Sequence, residues 1–157
     1  MPQKLTVTKL LQQLSDQNIQ KVKLAVTDLD GVLRGKVISF EKFKSIAAAG
    51  FGFCDVVFGW DAGDVAYDNA TVTGWHTGYP DANARVLPAT GRLLPFENDM
   101  PFFLCELTDA AEAICPRGVL RRVLDKAKAM GFAVSSAFEY EFFMFEETSN
   151  GLHEKNF

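Results

Sequence analysis

The sequence predicts an α+β fold, a small sheet gripping one helix and followed by the opening of a second unit. Three observations carry that expectation. Apolar, β-branched runs bounded by Asp, Gly and Pro recur before Pro116. A single Ser-led amphipathic stretch interrupts them. From Pro116 the pattern changes to one helix and then an aromatic strand, which places a boundary between residues 1–110 and residues 111–157.

Each element follows from local chemistry. Thr8 is placed to cap a short helix whose Leu10, Leu11 and Leu14 share a face. Val22 to Thr27 is an apolar run of strand length, and Asp30-Gly31 is a turn pair. The stretch "VLRGKVISF" beyond it has no cap and many branched residues, so the two runs make a hairpin. Ser39 next caps a helix through Ala49, which Gly50 stops. Strands are expected at Phe53 to Phe58 and Met100 to Leu107, with a Gly-, Asp- and Pro-rich loop region from Gly59 to Pro95 between them. The resulting order, β-β-α-β-β, suits an antiparallel or mixed sheet. From Pro116, Val119, Leu120, Val123, Leu124, Ala127 and Met130 line one helical face and Gly131 ends it. "FAVSSAFEYEFFMFE" then reads as a strand.

Composition narrows the function classes. With 48% hydrophobic residues and 14 Phe in 157 residues, the chain can bury a substantial core. A net charge of -4 and no basic tail argue against nucleic acid as a partner, because phosphate neutralisation needs clustered Lys and Arg. Cys54, Cys105 and Cys115 are odd in number and lack metal-ligand spacing, so each reads as a small buried hydrophobe in a reducing compartment. The start, "MPQKLTVTKLLQQLSDQ", is too polar for a signal peptide or membrane span, and the expected location is the cytoplasm.

Two carboxylate pairs invite chemistry. "AVTDLDGVLRGK" resembles the opening of a dehalogenase-type phosphatase, with Asp28 as nucleophile, and "GDVAYD" offers a later acidic pair in Asp64 and Asp68. Too few residues separate Asp30 from Asp64 to hold the parallel strands and crossover helices such an enzyme needs, so Asp28 and Asp30 read as hairpin-turn formers. The second pair lies in "SSAFEYEFFMFEE". Residues two apart on a strand face one side, so Glu139 and Glu141 would project together, away from Phe138, Tyr140 and Phe142. Two readings stand: two ordinary surface glutamates, or two hard-oxygen ligands for Mg²⁺ or Mn²⁺.

The ordered set "DLDGVLRGKVI", "PDANARVLP", "CELTD", "CPRGVLRRVLDKAKAMGFAV" and "FEYEFFMF" resembles the amino-terminal part of the glutamine synthetase family, from about Val22 to the end. The resemblance implies a β-grasp amino-terminal domain followed by the first helix and strand of a catalytic domain. It implies an ATP-dependent ligase of nitrogen metabolism that joins the γ-carboxyl of glutamate to ammonia or an amine through γ-glutamyl phosphate. It assigns Glu139 and Glu141 to two Mg²⁺ or Mn²⁺ sites that serve ATP. Family members also carry an Asp in a short Asp-Gly-Ser-Ser loop that reaches a neighbouring subunit's active site. Here the matching stretch is "GWDAGDVAYD", so Asp61, with Asp64 next, takes that catalytic place. The serines are absent, and this departure with "GWHTGYPD" is similar to the divergent γ-glutamylputrescine synthetase-like branch. Trp60, Trp75 and His76 are candidates to line a substrate entrance, and Asp81 matches a family turn. The family's remaining metal, ATP and glutamate residues find no counterpart here, so the chain reads as an inactive amino-terminal fragment of an enzyme that assembles into stacked rings. The alternative is a stand-alone β-grasp interaction module.

Overall fold

The first strand, β1 (Lys21–Thr27), owes its place to Val22, Leu24 and Val26, which are at most 2% exposed and point to one face. In the computed structural model, which describes residues 6–155, β1 runs antiparallel to β2 (Leu33–Ser39) in an unbroken register from Lys21 opposite Ser39 to Thr27 opposite Leu33. The connection is a three-residue loop. The Gly31 amide donates to the Asp28 carbonyl at 3.2 Å, and the Asp28 amide donates to the Val32 carbonyl at 3.0 Å. Gly31 has φ +83°, the left-handed conformation such loops require at their last position, so the Asp-Gly pair does select the hairpin.

The fold is mixed α+β. Helix α2 (Phe40–Ile46) starts on Ser39, whose hydroxyl accepts from the Lys42 amide at 3.2 Å, as the sequence predicts. Strands β3 (Phe51–Cys54), β4 (Asp81–Val86), β5 (Arg92–Leu94) and β6 (Met100–Leu107) complete a six-stranded sheet in the order β2-β1-β6-β4-β3, with β5 also on β6. Strand β6 is central. It lies parallel to β1 through Leu24 opposite Phe103, and it pairs antiparallel with β5 near its start and with β4 near its end. Helix α1 (Val7–Asp16) and α2 cover one face, burying Leu10, Leu14, Phe43 and Ile46 against Leu24, Phe103, Cys105 and Leu107. The rings of Phe43 and Phe103 stack at 5.2 Å. Each fully buried side chain of this size contributes about 1.5–3 kcal/mol. Edge strands β2 and β3 share no ladder, and Lys36 of β2 bridges them by lying over the rings of Phe51 and Phe53 at 5.5 and 5.2 Å.

Several expectations are corrected. The cap of α1 is Thr6, not Thr8: Thr6 is extended and accepts from the Lys9 amide, whereas Thr8 already lies within the helix. The strand expected at Phe53 to Phe58 ends at Cys54, and Asp55–Phe58 turns as a 3-10 helix that buries Val57 and Phe58. The expected loop region contains β4 and β5. Strand β4, "DANARV", holds Asp and Asn that disfavour strands and buries only Ala84 and Val86. It forms because β3 and β6 satisfy it on both sides.

Helix α3 (Pro116–Ala129) appears where predicted, with its apolar face open: Val119, Leu120, Val123, Leu124 and Met130 are all exposed. The strand expected after it does not form. Residues 132–145 are irregular and exposed, and no strand among the described residues pairs with them. A strand exists only through partners for its amides and carbonyls, and period-two patterning cannot provide them. A short helix, α4 (Ser149–Glu154), follows, capped by Thr148. No helix among the described residues is long and apolar enough to cross a membrane.

Candidate functional site

The β1–β2 hairpin builds the most connected polar cluster. Asp28 follows β1 and is fully buried, its Oδ1 accepting from the amides of Asp30 at 3.0 Å and Val32 at 2.8 Å. Its Oδ2 accepts from Arg34 Nε at 2.7 Å. Both oxygens are thus engaged in holding the loop, which is the turn-forming role expected from sequence. Arg34 Nη1 reaches the Asp64 carboxylate, Nη2 donates to the Asp61 carbonyl at 3.3 Å, and the guanidinium lies 5.1 Å from the centre of the Trp60 ring. The bond to Asp28, foremost, raises the Arg34 pKa, with Asp64 adding to it against the cost of burial.

Asp61 and Asp64 therefore share one turn. Asp61 Oδ1 accepts from the amides of Gly63 at 2.8 Å and Val65 at 3.0 Å, and Asp64 sits at φ +65° on an exposed tip. Burial, and then the carboxylates of Asp30, Asp61 and Asp28, raise the Tyr67 pKa. Among the aromatic candidates, Trp60 is half-buried against the core, whereas Trp75 is 78% exposed and edge-on to Tyr79 at 5.4 Å. His76 is exposed, and its Nε2 lies 3.3 Å from the Thr71 carbonyl. Asp81 opens β4 opposite Cys54.

Glu139 and Glu141 stand apart from that turn in the irregular segment after α3. Both are exposed, and no hydrogen bond or ion pair joins either to another described residue. Among the described residues no group of three or more His, Cys, Asp or Glu could hold a metal ion. The donor chemistry suits Mg²⁺ or Mn²⁺, but two carboxylates are only part of the six-oxygen shell those ions take.

Two buried polar features escaped sequence reasoning. Glu106, on β6, receives Arg121 Nη1 at 2.7 Å and Arg85 Nη2 at 3.1 Å, with Arg117 Nε at 3.5 Å. Burial works to raise its pKa, and the bonds from Arg121 and Arg85 overcome it, so the net shift is downward. The signal was present in "FFLCELTD": a lone carboxylate inside an otherwise apolar strand demands cations. The second is Thr73, fully buried, whose hydroxyl donates to Asp55 Oδ1 at 2.6 Å. Cys105 and Cys115 are buried as expected, and burial pushes the Cys105 thiol up to about 12.

Comparison with known proteins places this arrangement. Residues 113–157 match the sequence model of the glutamine synthetase catalytic domain. Over 151 residues the chain is 41% identical to type-1 glutamine synthetase 2 of Dictyostelium discoideum, covering 94% of this chain and 29% of that protein. It is 32% identical to a glutamate–isopropylamine ligase of Pseudomonas sp (90% of this chain, 32% of that protein). It is 28% identical to the γ-glutamylethanolamide synthetase GlnA4 of Streptomyces coelicolor (89% and 31%). Solved structures of GmaS share the fold: the ligand-free form superposes with TM-score 0.58 at 21% identity, covering 78% of this chain and 27% of that one. The ADP complex gives 0.55 at 22%, covering 77% and 26%. The chain spans about three tenths of the length of the curated relatives it matches. Along nearly all of its own length, the chain is related by sequence to the glutamine synthetase family.

Proposed function

We propose that this chain is the amino-terminal part of an ATP-dependent ligase that joins the γ-carboxyl of glutamate to ammonia or an amine through γ-glutamyl phosphate. The observation that carries this reading is the 41% identity to a type-1 glutamine synthetase across 151 residues. Residues 1–110 would be the β-grasp domain, a reading that the parallel pairing of the first strand with the central β6 and the packing of α2 on one face support. Residues 111–157 would open the catalytic domain, which the match over 113–157 supports. That match also favours the ligase over a stand-alone interaction module, since such a module has no use for the start of a catalytic domain.

In this reading Glu139 and Glu141 contribute carboxylate oxygens to a divalent-metal site completed by residues outside this chain. Bound there, Mg²⁺ or Mn²⁺ would offset charge on ATP phosphates. Asp61 and Asp64 would serve the cationic acceptor, and their place together in one turn with an exposed tip supports that role. Two relatives are named for isopropylamine and for γ-glutamylethanolamide, which supports ammonia or a small amine as the acceptor here. Stacked-ring assembly and a cytoplasmic location belong to the same proposal.

The test is ATP-dependent γ-glutamyl transfer with ammonia and a panel of amines. The 157-residue chain should be inactive. In the full-length ligase, Glu139→Gln or Glu141→Gln should weaken Mg²⁺ or Mn²⁺ binding about tenfold or more, with turnover falling further. Unchanged metal titration and rate in both variants would overturn the assignment.

A further inference from the structure

We infer that Arg34 is a positioning residue, which locks the Trp60–Asp64 turn, and with it Asp61 and Asp64, onto the β1–β2 hairpin; its bearing on catalysis rests on the role proposed above for those two aspartates. The turn is already closed on itself. Tyr67 N donates to the Gly59 carbonyl at 2.8 Å, Asp61 N to the Val65 carbonyl at 3.0 Å, and Trp60 bridges Ala66. Asp61 Oδ1 ties the two amides at its tip. These bonds fix the shape of the turn but not where it sits.

Placement comes from outside. Among the described residues, the hydrogen bonds that residues 60–67 make beyond the turn all come from Arg34. The guanidinium is itself anchored, because Nε bonds to Asp28, whose carboxylate is fully buried and held by two loop amides. With one edge fixed to Asp28, the planar fork directs Nη1 at Asp64 and Nη2 at the Asp61 carbonyl, while its face meets Trp60. A chain of contacts thus runs from the sheet, through a buried carboxylate and one guanidinium, to the turn. Lysine carries all its donors on one nitrogen and lacks the planar fork that spreads them over three separate acceptors, so charge alone is insufficient.

The experiment reads turn order without turnover. In a Trp75→Phe background, Trp60 is the sole indole, and its near-UV circular dichroism is followed with amide exchange. Arg34→Met should flatten the Trp60 signal and speed exchange over residues 61–67 about tenfold, while Val22–Val26 and Phe103–Leu107 keep wild-type protection. Arg34→Lys should not restore either readout. Should Arg34→Met fail to fold, Asp64→Asn removes one arm at a site 58% exposed and should speed the same amides about threefold. Wild-type exchange over 61–67 in the variant that folds, or full restoration by Arg34→Lys, would overturn the proposal. If the turn loosens as expected but Asp61→Asn and Asp64→Asn leave turnover of the full-length ligase unchanged, the catalytic reading falls and the positioning role of Arg34 stands.

Discussion

Among the described residues Asp28 and Glu106 are the two buried carboxylates, and each is stabilised by a different means. Asp28 satisfies both oxygens with two amides and one guanidinium. Truncation would strand Arg34 and two loop amides, so Asp28→Ala should cost about 3 kcal/mol. Urea unfolding checks it, with a lower midpoint and an unchanged slope. The same bonding predicts that beryllium fluoride forms no aspartyl-phosphate mimic at Asp28. Glu106 has several arginines and a pKa held below its ordinary value. A carboxylate depressed in the folded state adds stability that is fully present above its unfolded pKa of about 4.3 and is lost as pH falls through the lower folded value. The stability gap between wild type and Glu106→Gln should therefore be constant near neutrality and shrink only below about pH 4. A gap that persisted at pH 2 would refute that linkage.

At the scale of elements, the β1–β2 hairpin is the most tightly specified unit. Its loop chemistry, its alternation and the Asp28 anchor agree on one register. Gly35 adds a steric constraint: a Cβ there would stand 2.1 Å from the Leu24 carbonyl oxygen across the ladder. Gly35→Ala must push the strands apart, and a loss of about 2–3 kcal/mol is expected from overpacking. Thermal unfolding measures it, and loss of hairpin amide protection should accompany it. Helix α3 is the opposite case. Its period and its Pro116 start are clear in sequence, yet only Gly118 is buried, and the helix is tied to the sheet by Arg121 and Arg117 on Glu106.

For the whole molecule, the core and the exposed apolar surface divide the chain. Residues of α1, α2, β1 and β6 supply a continuous interior. The α3 face is open, and after it Phe132, Phe138, Tyr140, Phe142, Phe143 and Phe145 are all more than 60% exposed. Exposed apolar side chains in that number drive association. The 157-residue chain should sediment as concentration-dependent oligomers and bind a hydrophobic dye. Leu120→Glu with Val123→Glu, both exposed, should reduce both signals without lowering the unfolding midpoint. A monomer at all concentrations with no dye binding would contradict this.

Local chemistry alone determined the elements whose signals lie within a few residues. The Asp-Gly loop, the Ser39 cap, the Met100–Leu107 strand and the Pro116 start were legible because turn geometry, capping and apolar runs are short-range properties. Tertiary structure decided the rest. Strand β4 forms against its own composition because β3 and β6 flank it, and 132–145 remains irregular despite its alternation because no strand flanks it. Arg34 and Glu106 looked like ordinary charges in sequence. Their partners lie as far as 30 residues away along the chain, and only folding brings a guanidinium within reach of a distant turn, or several arginines onto one buried carboxylate.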